Sequence, residues 1–168
     1  MSRSRGPTVL TPRRFRLLLR LFPPFLAGRT RVVDVSDDFL RCRVRVRRSP
    51  LTRNLQGSIF GGTIFSAADP FFAMLYWQAL ARRGLRVQAW IRSARIVYLK
   101  PAESALTFEF EVAENEVRQA LEALEREGRF ARLHTTRAVD EQGQVCAVVE
   151  LEVYLRRPRD DRREAAAF

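Results

Sequence analysis

The chain has 168 residues, with 30 basic side chains against 19 acidic ones, two cysteines and one histidine, giving a formal net charge of +11. That length suits one domain with a real core and short tails. Cys42 and Cys146 make no disulfide framework, and with His134 alone they offer no spacing for a metal site.

The charge favours anionic partners such as nucleic acid, a membrane surface or a phosphorylated ligand. The arginines are dispersed along the chain, which argues against nucleic acid. No apolar run approaches the roughly 20 residues needed to span a bilayer. Arg16 and Arg20 interrupt what would be the apolar core of a signal peptide, so the cytoplasm is the expected compartment.

Residues 1–11 are expected to be disordered, 12–156 to form a single domain, and 157–168 to be a charged tail. A helix is predicted over 12–22, with Thr11 as N-cap and Pro12 in the first turn. Phe15, Leu18, Leu19 and Phe22 make its apolar stripe, while Arg13, Arg16 and Arg20 share another face. Such a helix packs on its own domain or lies on a membrane surface, and packing is the expectation. Pro23 and Pro24 should stop it.

Strand signals begin near Arg31. Over 41–47 the alternation is strict, with Arg41, Arg43, Arg45 and Arg47 on one face and Cys42, Val44 and Val46 on the other. A loop follows over 49–58. A helix apolar nearly all round is predicted over 61–83, bent at Pro70 and ended by Gly84. Strands are predicted over 87–99, 105–112, 130–139 and 145–155, with an amphipathic helix at 115–128 and a hairpin turn at 140–143. Leu106, Phe108, Phe110 and Val112 should face inward, with Glu109 and Glu111 outward. Val149, Leu151, Val153 and Leu155 should do the same, with Glu150 and Glu152 outward. These glutamates could neutralise the outward arginines of 41–47. His134 is expected on a partly exposed strand face. One buried helix with antiparallel strands points to an α+β sheet wrapped around that helix.

The most informative segment is 54–69, NLQGSIFGGTIFSAAD. Gly61 and Gly62 allow a tight turn and close approach of backbone to a ligand, and the unpaired N–H groups of a helix start can hold negative charge. Asp69 lies two turns on in apolar surroundings, where an unpaired carboxylate is costly. Either these residues form an oxyanion site and a base, or the glycines simply turn the chain and Asp69 caps a helix segment beginning at Pro70.

Asn54, Gly57, Phe60, Gly61, Gly62 and Asp69 read N-x-x-G-x-x-F-G-G-x-x-x-x-A-A-D. This resembles the hotdog-fold acyl-CoA thioesterases of the phenylacetic-acid-pathway type, with phenylalanine at position 60 where those enzymes usually carry histidine. The Phe-Gly-Gly version, with Asp69-Pro70-Phe71 and Tyr98-Leu99-Lys100-Pro101, looks like a subfamily of that superfamily, and the similarity runs from about Phe15 to Leu155. The resemblance implies a hotdog fold, a dimer or tetramer, and hydrolysis of an acyl thioester to free acid and coenzyme A. Coenzyme A would enter only as part of the substrate, without another cofactor or metal.

Thioester hydrolysis needs a polarised carbonyl and an activated nucleophile. Gly61 and Gly62 N–H groups could supply the first and Asp69 the second, as general base or nucleophile. Asn54 either orients the water or thioester or braces the loop. Lys100 either binds coenzyme A phosphates or is a solvated strand end. Phe71, Phe72, Phe108 and Phe110 either line an acyl site, beside Gly57 and Phe60, or belong to the core. Seven residues along one helix put Asp69 roughly 10 Å from Gly62, so one carbonyl can meet both only if they come from different subunits. Ser58 and Ser66 have no histidine at motif spacing, which argues against serine-hydrolase chemistry. Two readings stand: a thioesterase, favoured by Asp69, and a non-catalytic hotdog protein, left open by Phe60, that binds acyl chains or thioesters and could do so at a membrane surface through the basic N-terminal helix.

Overall fold

The computed structural model describes residues 7–158. In chain order the elements are α1 (Pro12–Leu21), α2 (Pro23–Ala27), β1 (Thr30–Val35), β2 (Arg41–Val46), α3 (Gly61–Ala68), α4 (Phe71–Arg82), β3 (Gln88–Tyr98), β4 (Leu106–Glu111), α5 (Glu114–Arg126), β5 (Arg129–Val139) and β6 (Val145–Arg156). The strands form one antiparallel sheet in the order β1-β2-β4-β5-β6-β3. It curves around α4, which touches β2, β3, β4 and β6.

Alternation in the sequence sets which face is buried. Cys42, Val44 and Val46 of β2 and Leu106, Phe108 and Phe110 of β4 are buried against α4. On the outer face the register sets Arg41 opposite Glu111 and Arg43 opposite Glu109, and Arg43 pairs with Glu109 at 2.8 Å. The β4 glutamates therefore do offset the β2 arginines. Those of β6 do not, because β6 lies beside β3. Glu152 pairs with Arg92 at 2.5 Å and Glu150 approaches Arg95 at 4.0 Å.

The helix predicted over 61–83 is two helices. α3 ends at Ala68 with Asp69 as C-cap, and α4 starts at Phe71 after Pro70, whose ring nitrogen has no hydrogen to donate. Gly84, at φ +80°, ends α4 as expected. Pro23 and Pro24 end α1 but also open α2, where the first-turn N–H groups need no partner. Of the α1 stripe only Phe15 and Leu19 are buried; Leu18 and Phe22 are exposed. Phe15 meets Phe39 edge-on at 5.2 Å between centroids, which docks α1 on the domain.

Residues 1–6 and 159–168, most of the two segments expected to be tails, lie outside the described residues. Nearer the domain the chain is anchored: Gln78, fully buried in α4, donates to the Thr8 carbonyl at 3.0 Å and accepts from Leu10 N–H at 2.8 Å.

His134 is buried and not on a partly exposed face. Its ring stacks on Phe72 at 4.5 Å, and its Nε2 lies 3.2 Å from the Tyr76 hydroxyl. Burial pushes its pKa down.

Candidate active site

The loop before α3 is built by short-range hydrogen bonds that its residue types supply. The buried Thr52 hydroxyl donates to the Arg47 carbonyl at 2.9 Å and accepts from Ser49 N–H at 2.8 Å. Asn54 Oδ1 accepts from Gln56 and Ser58 N–H at 3.0 and 3.2 Å, and its Nδ2 donates to Ser58 Oγ at 2.9 Å. Gly57 takes φ +87°, which a side chain would resist. With its polar atoms committed to the loop, Asn54 acts here as a brace.

This loop delivers Phe60 as the N-cap of α3, and phenylalanine has no oxygen with which to cap. Thr63 and Ile64 N–H bond back to the Phe60 carbonyl at 2.9 and 3.2 Å, while Gly61 and Gly62 N–H have no partner among the described residues. Phe60 is exposed and folds its ring over Gly62: a Cβ there would lie 2.5 Å from Phe60 Cε1. The Tyr98 hydroxyl donates to the Gly61 carbonyl at 2.9 Å, and a Cβ on Gly61 would lie 2.9 Å from Tyr98 Cζ. Gly61 therefore sits in a groove of about 440 Å³ with Asn54, Tyr98 and Lys100. Tyr98 is the residue sequence reasoning missed. Its place in the Tyr-Leu-Lys-Pro run is the one signal the sequence offers for it.

Lys100 borders the same groove, yet its ammonium is taken up by Asp140 at 2.7 Å and by the Gln144 side chain. That hydrogen bond raises the lysine pKa and lowers the aspartate's. In this arrangement Lys100 fastens a strand end.

Asp69 lies at the other end of α3, in a separate groove of about 450 Å³ with Met74 and Trp77 of α4 and Trp90 and Ile91 of β3. Its carboxylate has neither hydrogen bond nor ion pair among the described residues. It does not cap α4, whose N-cap is Pro70 without a side-chain bond, so the capping account fails. Asp69 is exposed at the groove mouth, but the apolar walls strip enough water to push its pKa up. The structure thus keeps Gly61 and Asp69 of one chain apart, in two different grooves.

Phe71, Phe72, Phe108 and Phe110 border neither groove. They are at most 2% exposed and pack on one another, with Phe71–Phe110 at 5.0 Å and Phe72–Phe110 at 5.1 Å between centroids. They form the seam between α4 and β4, the core alternative for these four residues.

A six-stranded antiparallel sheet around a central helix is the hotdog fold. Solved structures share it, among them the following three. One is a Pseudomonas aeruginosa protein of unknown function described as a probable thioesterase. It has a TM-score of 0.80 and 20% identity over 90% of this chain and 99% of that one. A thioesterase from Haemophilus influenzae aligns with a TM-score of 0.67 at 10% identity, over 93% of this chain and 97% of its own. The E. coli PaaI protein from the phenylacetic acid degradation operon aligns with a TM-score of 0.60 at 17% identity, over 88% and 92% respectively. Comparison with curated proteins found no match. The chain belongs to the family described as Domain of unknown function (DUF4442), whose model matches residues 12–155.

Proposed function

We propose that this protein hydrolyses an acyl thioester, such as an acyl-CoA, at a site shared between two protomers. The observation that carries this reading is Asp69, an unpartnered carboxylate in an apolar groove where it does nothing for the fold. Burial raises its pKa above the ordinary carboxylate value, which makes it a stronger base than a solvated aspartate.

The strand β3 supports a dimer. It is an edge strand with both faces largely exposed, and a long uncovered edge invites pairing. One end, at Trp90 and Ile91, borders the Asp69 groove; the other, at Tyr98, borders the Gly61 groove. Antiparallel pairing of two β3 strands about a two-fold axis would bring the Gly61 end of one protomer toward the Asp69 end of its partner.

In such a site the thioester carbonyl accepts from the free Gly61 or Gly62 N–H groups. Asp69 takes a proton from water as the water oxygen bonds to the carbonyl carbon, giving a tetrahedral oxyanion held by those N–H groups. The C–S bond then breaks, the thiolate leaves and takes up a proton, and the free acid remains. Asp69 acting as nucleophile would form an anhydride first, and water would cleave it.

The Phe60 ring over Gly62 favours a second reading, a non-catalytic protein that binds acyl chains or thioesters. Purified protein assayed over an acyl-CoA chain-length panel, beside Asp69→Asn, separates the two. Turnover that falls about a hundred- to ten-thousand-fold in the variant supports the hydrolase. Saturable binding without turnover supports the binder. A stable monomer at micromolar concentration by light scattering would rule out the shared site.

A further inference from the structure

We propose that α1 and α2 form a docking face for an anionic lipid bilayer. α1 turns Phe15 and Leu19 toward the domain, and at 3.6 residues per turn this carries Leu17 and Leu21 to the opposite, outermost side. A helix that only packed on its domain would carry polar groups there. Instead Leu17, Leu18 and Leu21 are 57%, 56% and 64% exposed, and Leu26 of α2 continues the patch at 52%.

Charge surrounds the leucines. Between Pro7 and Val33 the chain has six arginines and no acidic residue. Arg13, Arg16, Arg20 and Arg31 line one groove of about 420 Å³ along α1 and β1, and none of them pairs with a carboxylate among the described residues. Arg16 makes a single bond, to the Val33 carbonyl at 3.2 Å.

Exposed leucines ringed by unpaired arginines match the chemistry of an anionic interface, with apolar side chains entering the acyl boundary and guanidinium groups meeting headgroup phosphates. The face lies on it without crossing: no helix among the described residues is long and apolar enough to span a membrane. A second copy is a poor occupant, since a two-fold contact through this face would set arginines against arginines. The face adjoins β1, at the far end of the strand order from β3, so it stays free when β3 pairs.

The test is co-sedimentation of the full chain with phosphatidylcholine vesicles, with and without one-third phosphatidylglycerol. Three proteins are compared: wild type, Leu17→Ser/Leu18→Ser/Leu21→Ser, and Arg13→Gln/Arg20→Gln. Melting curves establish that the variants are folded, since none of these side chains is buried. Wild type should bind the anionic vesicles at least tenfold better than the neutral ones. The arginine pair should weaken that binding roughly 25-fold, at about fivefold per charge, and the leucine set should weaken it at least tenfold. Failure of wild type to bind anionic vesicles overturns the proposal. So does a leucine variant that binds as well as wild type, which would mean mere charge adsorption. Concentration-dependent oligomers lost in the leucine variant would assign the face to another copy of the chain, and equally overturn it.

Discussion

The Tyr98 hydroxyl donates to the Gly61 carbonyl at 2.9 Å, tying the last residue of β3 to the first turn of α3. One contact therefore joins the glycine-rich helix start to the open edge strand, and it exists because Gly61 has no Cβ to meet the tyrosine ring. Tyr98→Phe should cost about 0.5–1 kcal/mol, as for a half-exposed hydrogen bond. Gly61→Ala should displace the ring and cost a similar amount. The two costs should not add in the double variant, because either change alone breaks the same contact. Denaturant titration of the four proteins measures this, and full additivity would show that the contact is not shared.

Asp69→Asn should lower turnover about a hundred- to ten-thousand-fold without harming the fold. A carboxyl whose folded pKa lies above its unfolded value favours folding at low pH and loses that contribution as pH rises through the folded pKa. At pH 8 the wild-type protein carries the cost of an ionised Asp69 among apolar walls, and the asparagine variant does not. Its melting temperature at pH 8 should equal or exceed wild type, and any gap should close on acidification below the carboxyl range. A clear drop at pH 8 would show that the carboxylate has a stabilising partner.

Replacing Phe71, Phe72, Phe108 or Phe110 by alanine should cost about 3–5 kcal/mol each, because each leaves a cavity in a sealed seam. The acyl-length profile of any surviving activity should not move. Trp77→Ala and Ile91→Ala, at the Asp69 groove, should do the reverse, shifting the profile at a smaller cost in stability. Chemical denaturation and a chain-length panel on all six variants decide between the two locations.

His134 should make the fold acid-sensitive. Burial depresses its folded pKa, so below the unfolded value of about 6.5 the unfolded chain binds a proton that the folded chain resists. Stability is thus full above that value and falls as pH drops through it. Glu116 opposes the depression and Arg132 adds to it, and these two pair with each other at 2.6 Å. His134→Gln should flatten the decline below roughly pH 6.5, as read by melting temperature against pH.

What the sequence determined by itself was what local spacing encodes. Alternation along β2, β4 and β6 set the inward and outward faces, the Phe-Gly-Gly run placed a helix start, and Pro70 marked a bend that the structure turns into a full break between two helices. That outward glutamates would meet the β2 arginines was legible too, but not which strand would supply them; Arg43–Glu109 shows that β4 does. Tertiary structure decided everything that depends on which distant segments meet. Tyr98 reaches Gly61 across 37 residues and His134 reaches Tyr76 across 58, separations at which periodicity carries no signal. The β6 glutamates went to β3 because strand order, set by chain connections, made β3 their neighbour. Asp69 was conspicuous in the sequence, but only the packing of α4 against β3 gave it an apolar groove without a partner. A carboxylate's role follows from the water removed around it, and that is a property of the assembled fold.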